Sequence, residues 1–143
     1  MNNKMTSSKI AAWIGAIGAT GMLAIGLIHF PMGFNVTGLQ DFSSLPPNAA
    51  EFVIMLCLVI GLLLVTLSIL SYYFLRKLQA GDTTARFFFL IVGLAILGRT
   101  LIEVLYPIAL PEPDWTNTLT FFVFSLTFLV PTMLVRTRTS QQA

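Results

Sequence analysis

Four long apolar runs, separated by segments that hold nearly every charge, organise this chain. The first starts after Lys9 and runs from Ile10 to Phe30, with His29 as its one ionisable side chain. The second covers about 51–75, and the 24 residues from Phe52 to Leu75 carry no charge. The third covers about 87–106 and is interrupted by Arg99 and Glu103; the fourth covers about 115–135 and is rich in Phe and Thr. A helix needs about 20 apolar residues to cross a hydrocarbon core of ~30 Å. Each run meets that length. The pattern predicts an all-α integral membrane protein, a four-helix bundle in which residues 1–143 form a single membrane domain.

The connections differ in character. Residues 31–50 are expected to form the longest loop, because Pro31, Gly33, Gly38, Pro46 and Pro47 break helix. Asn35-Val36-Thr37 is a formal glycosylation sequon, a tripeptide common by chance and irrelevant in a bacterium. Gly81 reads as a helix stop in the short second connection, and Pro107, Pro111 and Pro113 make the third. The basic start and first apolar run imitate a signal peptide. At 21 residues the run exceeds the usual h-region of about 7–15, and no cleavage pattern follows, so a retained helix is expected.

Composition narrows the function classes. Hydrophobic residues make up 56%, charged residues 10%, and mean hydropathy is +0.85. Soluble domains carry about 25% charged residues, and disordered chains are poor in apolar ones. Both classes are excluded. The net charge of +2 comes from helix ends and does not point to nucleic acid. One cysteine, one histidine and no carboxylate cluster in a span exclude a disulfide within the chain, a two-histidine haem and a typical metal site. No cofactor or metal is expected, and an enzyme is not favoured.

Charge also orients the spans. Lys4, Lys9, Arg76, Lys77, Arg86, Arg136 and Arg138, seven of the eight basic residues, fall at the two ends or in the second connection. Asp41, Glu51, Glu112 and Asp114 mark the other side, which has no Lys or Arg. The positive-inside rule then places both termini in the cytoplasm. Trp115 and Tyr106 fall at the expected outer boundary, and Trp13, Tyr72 and Tyr73 near the inner one.

Helical spacing predicts the packing faces. Gly15, Gly18, Met22, Gly26 and His29 form one stripe of the first helix. Cys57, Gly61, Leu64, Ser68 and Ser71 do so for the second, and Thr116, Thr120, Val123 and Thr127 for the fourth. The phenylalanines at 87–89, 121, 122, 124 and 128 are expected to contact lipid or neighbouring helices.

The candidate chemistry is sparse. Arg99 and Glu103 are four apart and share a helix face, which Tyr106 continues. An unpaired Arg deep in a span costs at least ~2 kcal/mol, so the two should pair and face the bundle. They form either a ligand or proton site or an ion pair that holds the helix in register. His29 ends the first span on the same side. A pocket of His29, Arg99, Glu103 and Tyr106, joined by Glu51, would suit a quinone head group, an anion or a proton. Alternatively, His29 caps backbone near Pro31.

The layout, and the pattern Gly26-Leu27-Ile28-His29-Phe30 closing the first helix, resemble small DoxX-like bacterial membrane proteins. That resemblance implies a bacterial inner membrane and a quinone-linked or redox-complex role; it assigns no residue. Three functions follow as expectations. The first is a non-enzymatic accessory subunit with the bilayer, a second copy or a larger membrane complex as partner. The second is a binder of a small hydrophobic, quinone-like ligand at His29, Arg99 and Glu103. The third is a small dimeric transporter, for which Glu103 lies too near the boundary.

Overall fold

The computed structural model describes residues 2–33, 45–105 and 115–135, with side chains from Ser7 onward. They form four helices: α1 (Asn2–Gly33), α2 (Pro47–Gln79), α3 (Thr83–Leu105) and α4 (Trp115–Leu134). All four are long and apolar enough to cross a membrane, the layout of a multi-pass membrane protein. At ~1.5 Å per residue, the 23 and 20 residues of α3 and α4 match a core of ~30 Å. The 32 and 33 residues of α1 and α2 overrun it. Helix continues into the polar flanks because its hydrogen bonds do not stop where the apolar stretch does.

The expected long loop is correspondingly shorter. Pro31 lies inside α1, and residues 47–50 belong to α2. Gly33 packs on Leu58 and Cys57, which holds the last turn of α1 in place beyond Pro31. Pro47 occupies the first helical position, where its missing N–H costs nothing, and Pro46 offers its carbonyl to the amides of Ala49 and Ala50. The sequon at 35–37 and Tyr106 lie outside the described residues.

Residue contacts divide the chain into two compact units, one of Met1–Gly18 with Ser71–Ala143 and one of Ala19–Leu70. In the second unit, the far end of α1 lies against the near part of α2. A Cβ on Gly26 would sit 3.0 Å from the Val65 amide nitrogen and 3.1 Å from the Gly61 carbonyl oxygen. A Cβ on Gly61 would sit 3.0 Å from the Gly26 carbonyl oxygen. The two backbones touch, as small residues allow in membrane helix pairs. Ser68 Oγ crosses the same seam and donates to the Ala19 carbonyl at 2.8 Å.

In the first unit, four helix segments form a bundle. Gly15 sits against Leu75 and Phe89, and Gly18 against Thr127 and Phe128. Phe89 and Phe128 are fully enclosed, with ring centroids 5.8 Å apart. Phe88 stacks on Phe74 at 4.8 Å, and Phe124 meets Phe128 edge-on at 5.6 Å. Such aromatic pairs contribute about 0.5–1.5 kcal/mol each beyond their burial. Of the Phe87–Phe89 run, Phe87 points outward, as helical rotation of 100° per residue requires.

The turn between α2 and α3 is closed by backbone chemistry. Gly81 has φ 81°, the left-handed conformation that glycine adopts without a Cβ penalty. The amide of Gly81 donates to the Leu78 carbonyl at 2.9 Å, and that of Asp82 to Lys77 at 3.1 Å, the paired bonds of a Schellman ending. Asp82 then caps α3, its Oδ1 accepting from the Ala85 amide at 2.8 Å. Gly81 is therefore the stop that its spacing predicts.

The stripes of α1 and α2 are buried along most of their length: Gly15, Gly18, Met22 and Gly26 are buried, as are Gly61, Ser68 and Ser71, while His29, Cys57 and Leu64 are half-buried. The stripe of α4 is not. Thr116, Thr120 and Val123 are exposed, and the buried face is Thr118, Ser125, Phe128, Pro131 and Thr132. Thr120 Oγ1 bonds the Thr116 carbonyl at 2.7 Å, and the buried Ser125 and Thr132 bond their own helix likewise, so a hydroxyl on α4 is satisfied on either face.

Gly61→Val should lower stability in detergent by about 1–3 kcal/mol, because the rigid Gly26 backbone cannot yield to the added atoms. Gly98→Ala, where a Cβ meets nothing within 4 Å, should be neutral or mildly stabilising. Thermal melts of the two variants check this, and equal melting temperatures would count against the seam. Asp82→Ala should cost roughly 0.5–2 kcal/mol by loss of the cap, read by denaturant titration.

Candidate functional site

The charged pair of α3 meets α4 in the first unit. Glu103 Oε1 accepts from Asn117 Nδ2 at 2.6 Å, and the Arg99 guanidinium lies over the Phe121 ring with Cζ 3.5 Å from its centroid. Further along, Gly93 abuts Leu129. Partners on α4 climb in number as those on α3 fall, so the helices are antiparallel. Glu103 and Asn117 each lie two residues from a helix end, at the end of α3 and the start of α4. Arg99 and Phe121 each lie six residues in, about 9 Å along the axis. The polar groups are thus stacked in two matched layers.

Arg99 and Glu103 pair as expected, with Nη1 and Oε2 3.1 Å apart. The N–H directions miss the oxygen, and Oε2 has no hydrogen-bond partner among the described residues, so this is a charge contact rather than an aligned bond. Enclosure differs from expectation. The Arg99 side chain is 49% exposed and that of Glu103 24%. Arg99 does not point into the bundle; its long stem lies along the surface and its head rests on Phe121. A guanidinium stacks well on an aromatic face, worth about 0.5–1 kcal/mol when exposed and ~2 when desolvated. The stack removes the need for full burial.

His29 belongs to the other unit. Its Nδ1 is 2.7 Å from the Ile25 carbonyl oxygen. A carbonyl only accepts, so Nδ1 carries the proton, and the imidazole is tied to its own helix. Its Cβ backs onto Gly61. As in the structural alternative, the ring bonds backbone, but the acceptor lies six residues before Pro31 and inside α1, so it is a back-bond within the helix and not a cap. Glu51 lies exposed in α2, in the same unit as His29. Of the five candidate residues, Arg99 and Glu103 are brought together.

Two α4 residues complete this region without having been singled out for it, Asn117 and Phe121. Asn117 carried a readable signal, since an amide two residues inside an apolar run seeks a partner as a charge does. Phe121 carried none, because several phenylalanines surround it. Thr118 Oγ1 is buried and makes no hydrogen bond among the described residues. No three His, Cys, Asp or Glu side chains among the described residues gather as a metal ion would require. Chemically the cluster offers a carboxylate held by an amide and a guanidinium with a free edge.

No protein-family model, curated protein or solved structure matches this chain.

Glu103→Leu leaves Arg99 without its counter-charge and should lower the melting temperature; the double variant Arg99→Leu/Glu103→Leu should recover most of the loss. Asn117→Ala should cost on the order of 0.6–1.7 kcal/mol, the range for side-chain hydrogen bonds between membrane helices. A double variant as unstable as Glu103→Leu alone would show that the charges do not act as a pair.

Proposed function

We propose that this chain is a non-enzymatic accessory protein of a bacterial inner membrane, with both termini in the cytoplasm, that works by packing against other membrane components. The observation that carries this reading is how the polar groups of the spans are used. Glu103 is engaged by Arg99 and Asn117, His29 by its own helix, and Ser68 by the Ala19 carbonyl. The Glu103–Asn117 and Ser68–Ala19 bonds join helices and His29 is satisfied within its own, which is what a structural role asks of them. Helix α2 adds to it. Its most apolar window has mean hydropathy 3.1 and is only 11% buried, which leaves a long apolar surface for lipid, a second copy or the helices of a larger complex.

Orientation rests on the basic residues. Lys9, Arg76, Lys77 and Arg86 lie within α1, α2 and α3 toward the ends that would be cytoplasmic, and Trp13, Tyr72 and Tyr73 are exposed near them in the sequence. Trp115, exposed at the start of α4, suits the outer interface. The DoxX-like layout is in keeping with a bacterial membrane.

A second reading has one observation in its favour. The half-exposed Arg99 stacked on Phe121 could hold the carbonyl of a quinone-like molecule.

Two measurements decide. With Cys57 replaced by Ser, a cysteine at position 112 should react only with reagent added from outside the cytoplasm; labelling from the cytoplasmic side alone would reverse the topology. Quinone titration of the reconstituted protein should show no saturable binding. Saturable binding that Glu103→Gln abolishes would replace the accessory reading with the binding one.

A further inference from the structure

Arg99 is the group that the packing of the helices does not use up. A guanidinium carries five N–H donors in a planar fork. None of Arg99's makes a hydrogen bond among the described residues, because its contact with Glu103 is a misaligned charge pair. One flat face is covered by Phe121, and 49% of the side chain is open. Beside it Gly98 faces empty space, with no atom within 4 Å of where a Cβ would stand. Helical rotation puts Ile91, Ala95 and Ile102 on the same side of α3 as Gly98 and Arg99, and all three are apolar and exposed.

Depth selects the occupant. Arg99 lies about 9 Å inside the end of α3, level with Phe121 on which its head rests, and Glu103 leans back toward it from one turn nearer that end. With that end at the water boundary, a headgroup layer about 5–7 Å thick would reach to within a few Å of the head. A cation there with an unspent fork meets lipid phosphate on one side and acyl chains on the other.

We propose that Arg99 anchors a bound phospholipid. Its free edge takes two oxygens of the phosphodiester, and the acyl chains run over the exposed apolar face of α3 past the open space at Gly98. The fork suits a phosphate because two parallel N–H bonds meet two oxygens, whereas a neutral carbonyl uses one. Free inorganic phosphate offers the same oxygens but gains nothing from the apolar face. A second copy related by a two-fold axis would bring Arg99 toward its own like charge. Glu103 competes for the guanidinium, so its charge weakens the lipid contact rather than building it.

The proposal rests on the membrane reading, and one experiment separates the two. The full chain is extracted from membranes in mild detergent, and retained lipid is read by native mass spectrometry. It is then placed in phosphatidylglycerol nanodiscs, where dipolar contact between ¹⁵N-guanidinium arginine and lipid ³¹P is measured. One retained phospholipid and an Arg99-dependent ¹⁵N–³¹P contact are expected. Arg99→Lys, which keeps the charge but loses the fork, should lower occupancy several-fold. Glu103→Gln should hold or raise it, a change opposite to that of a misfolded variant. Nanodiscs of a phosphate-free glycolipid should leave no retained lipid, and excess inorganic phosphate should not displace the phospholipid. Equal occupancy in the wild type and Arg99→Lys would overturn the anchor. So would equal retention of the glycolipid, displacement by inorganic phosphate, or a lipid-free dimer. Recovery of the chain from the soluble fraction would overturn the membrane reading itself, whereas the other failures leave that reading intact.

Discussion

Close approach of helix backbones at small residues is the constraint on which the rest depends. In a hydrocarbon medium a leucine gains little by leaving lipid for a neighbouring helix, so apolar area alone does not decide which helices associate. What distinguishes a protein neighbour is dense van der Waals contact and the occasional hydrogen bond. Gly26 and Gly61 bring backbone against backbone, and Ser68 adds a bond across that seam to the Ala19 carbonyl. In the other unit Gly18 admits Thr127 and Gly93 admits Leu129. The buried ring of Phe128 also lies against Gly18, and that of Phe89 against Gly15. Much of the remaining apolar surface of α2 stays open.

The polar cluster obeys the same logic at higher cost. Arg99 in a span is expensive, and three different interactions hold it and its partner: a charge contact, a hydrogen bond from the Asn117 amide to Glu103 and an aromatic stack. Each is modest, and together they fix the register of α3 against α4 in two layers. Such a cluster stabilises the pairing of two helices while leaving one cation only half enclosed. A structural role and a contact with the surrounding membrane are therefore compatible in the same four side chains.

The sequence legibly specified the helices, because a charge-free run of 24 residues has few alternatives in any medium that cannot hydrogen-bond backbone. It also specified two of the packing faces. Glycine and serine at helical spacing have a single physical use there, and Gly15, Gly18, Gly26, Gly61 and Ser68 are buried accordingly. Gly81 was readable for the same reason, since a left-handed turn demands a particular residue type, whereas the cap formed by Asp82 was seen only in the structure. The pairing of Arg99 with Glu103 followed from spacing and from the cost of leaving either alone.

The tertiary structure alone decided the rest. Threonine on α4 is ambiguous in sequence, since its hydroxyl is satisfied equally well by its own helix or by another; Thr116 and Thr120 face outward, while Thr118 and Thr132 are buried. The part played by Phe121 and Asn117 could not be read either. Which α4 residues stand opposite Arg99 and Glu103 depends on the antiparallel offset of two helices, and that offset is set by many small contacts spread along both. The degree to which Arg99 is open has the same origin. Sequence determines that a charge must find a partner; only packing determines which side of that charge is left uncovered.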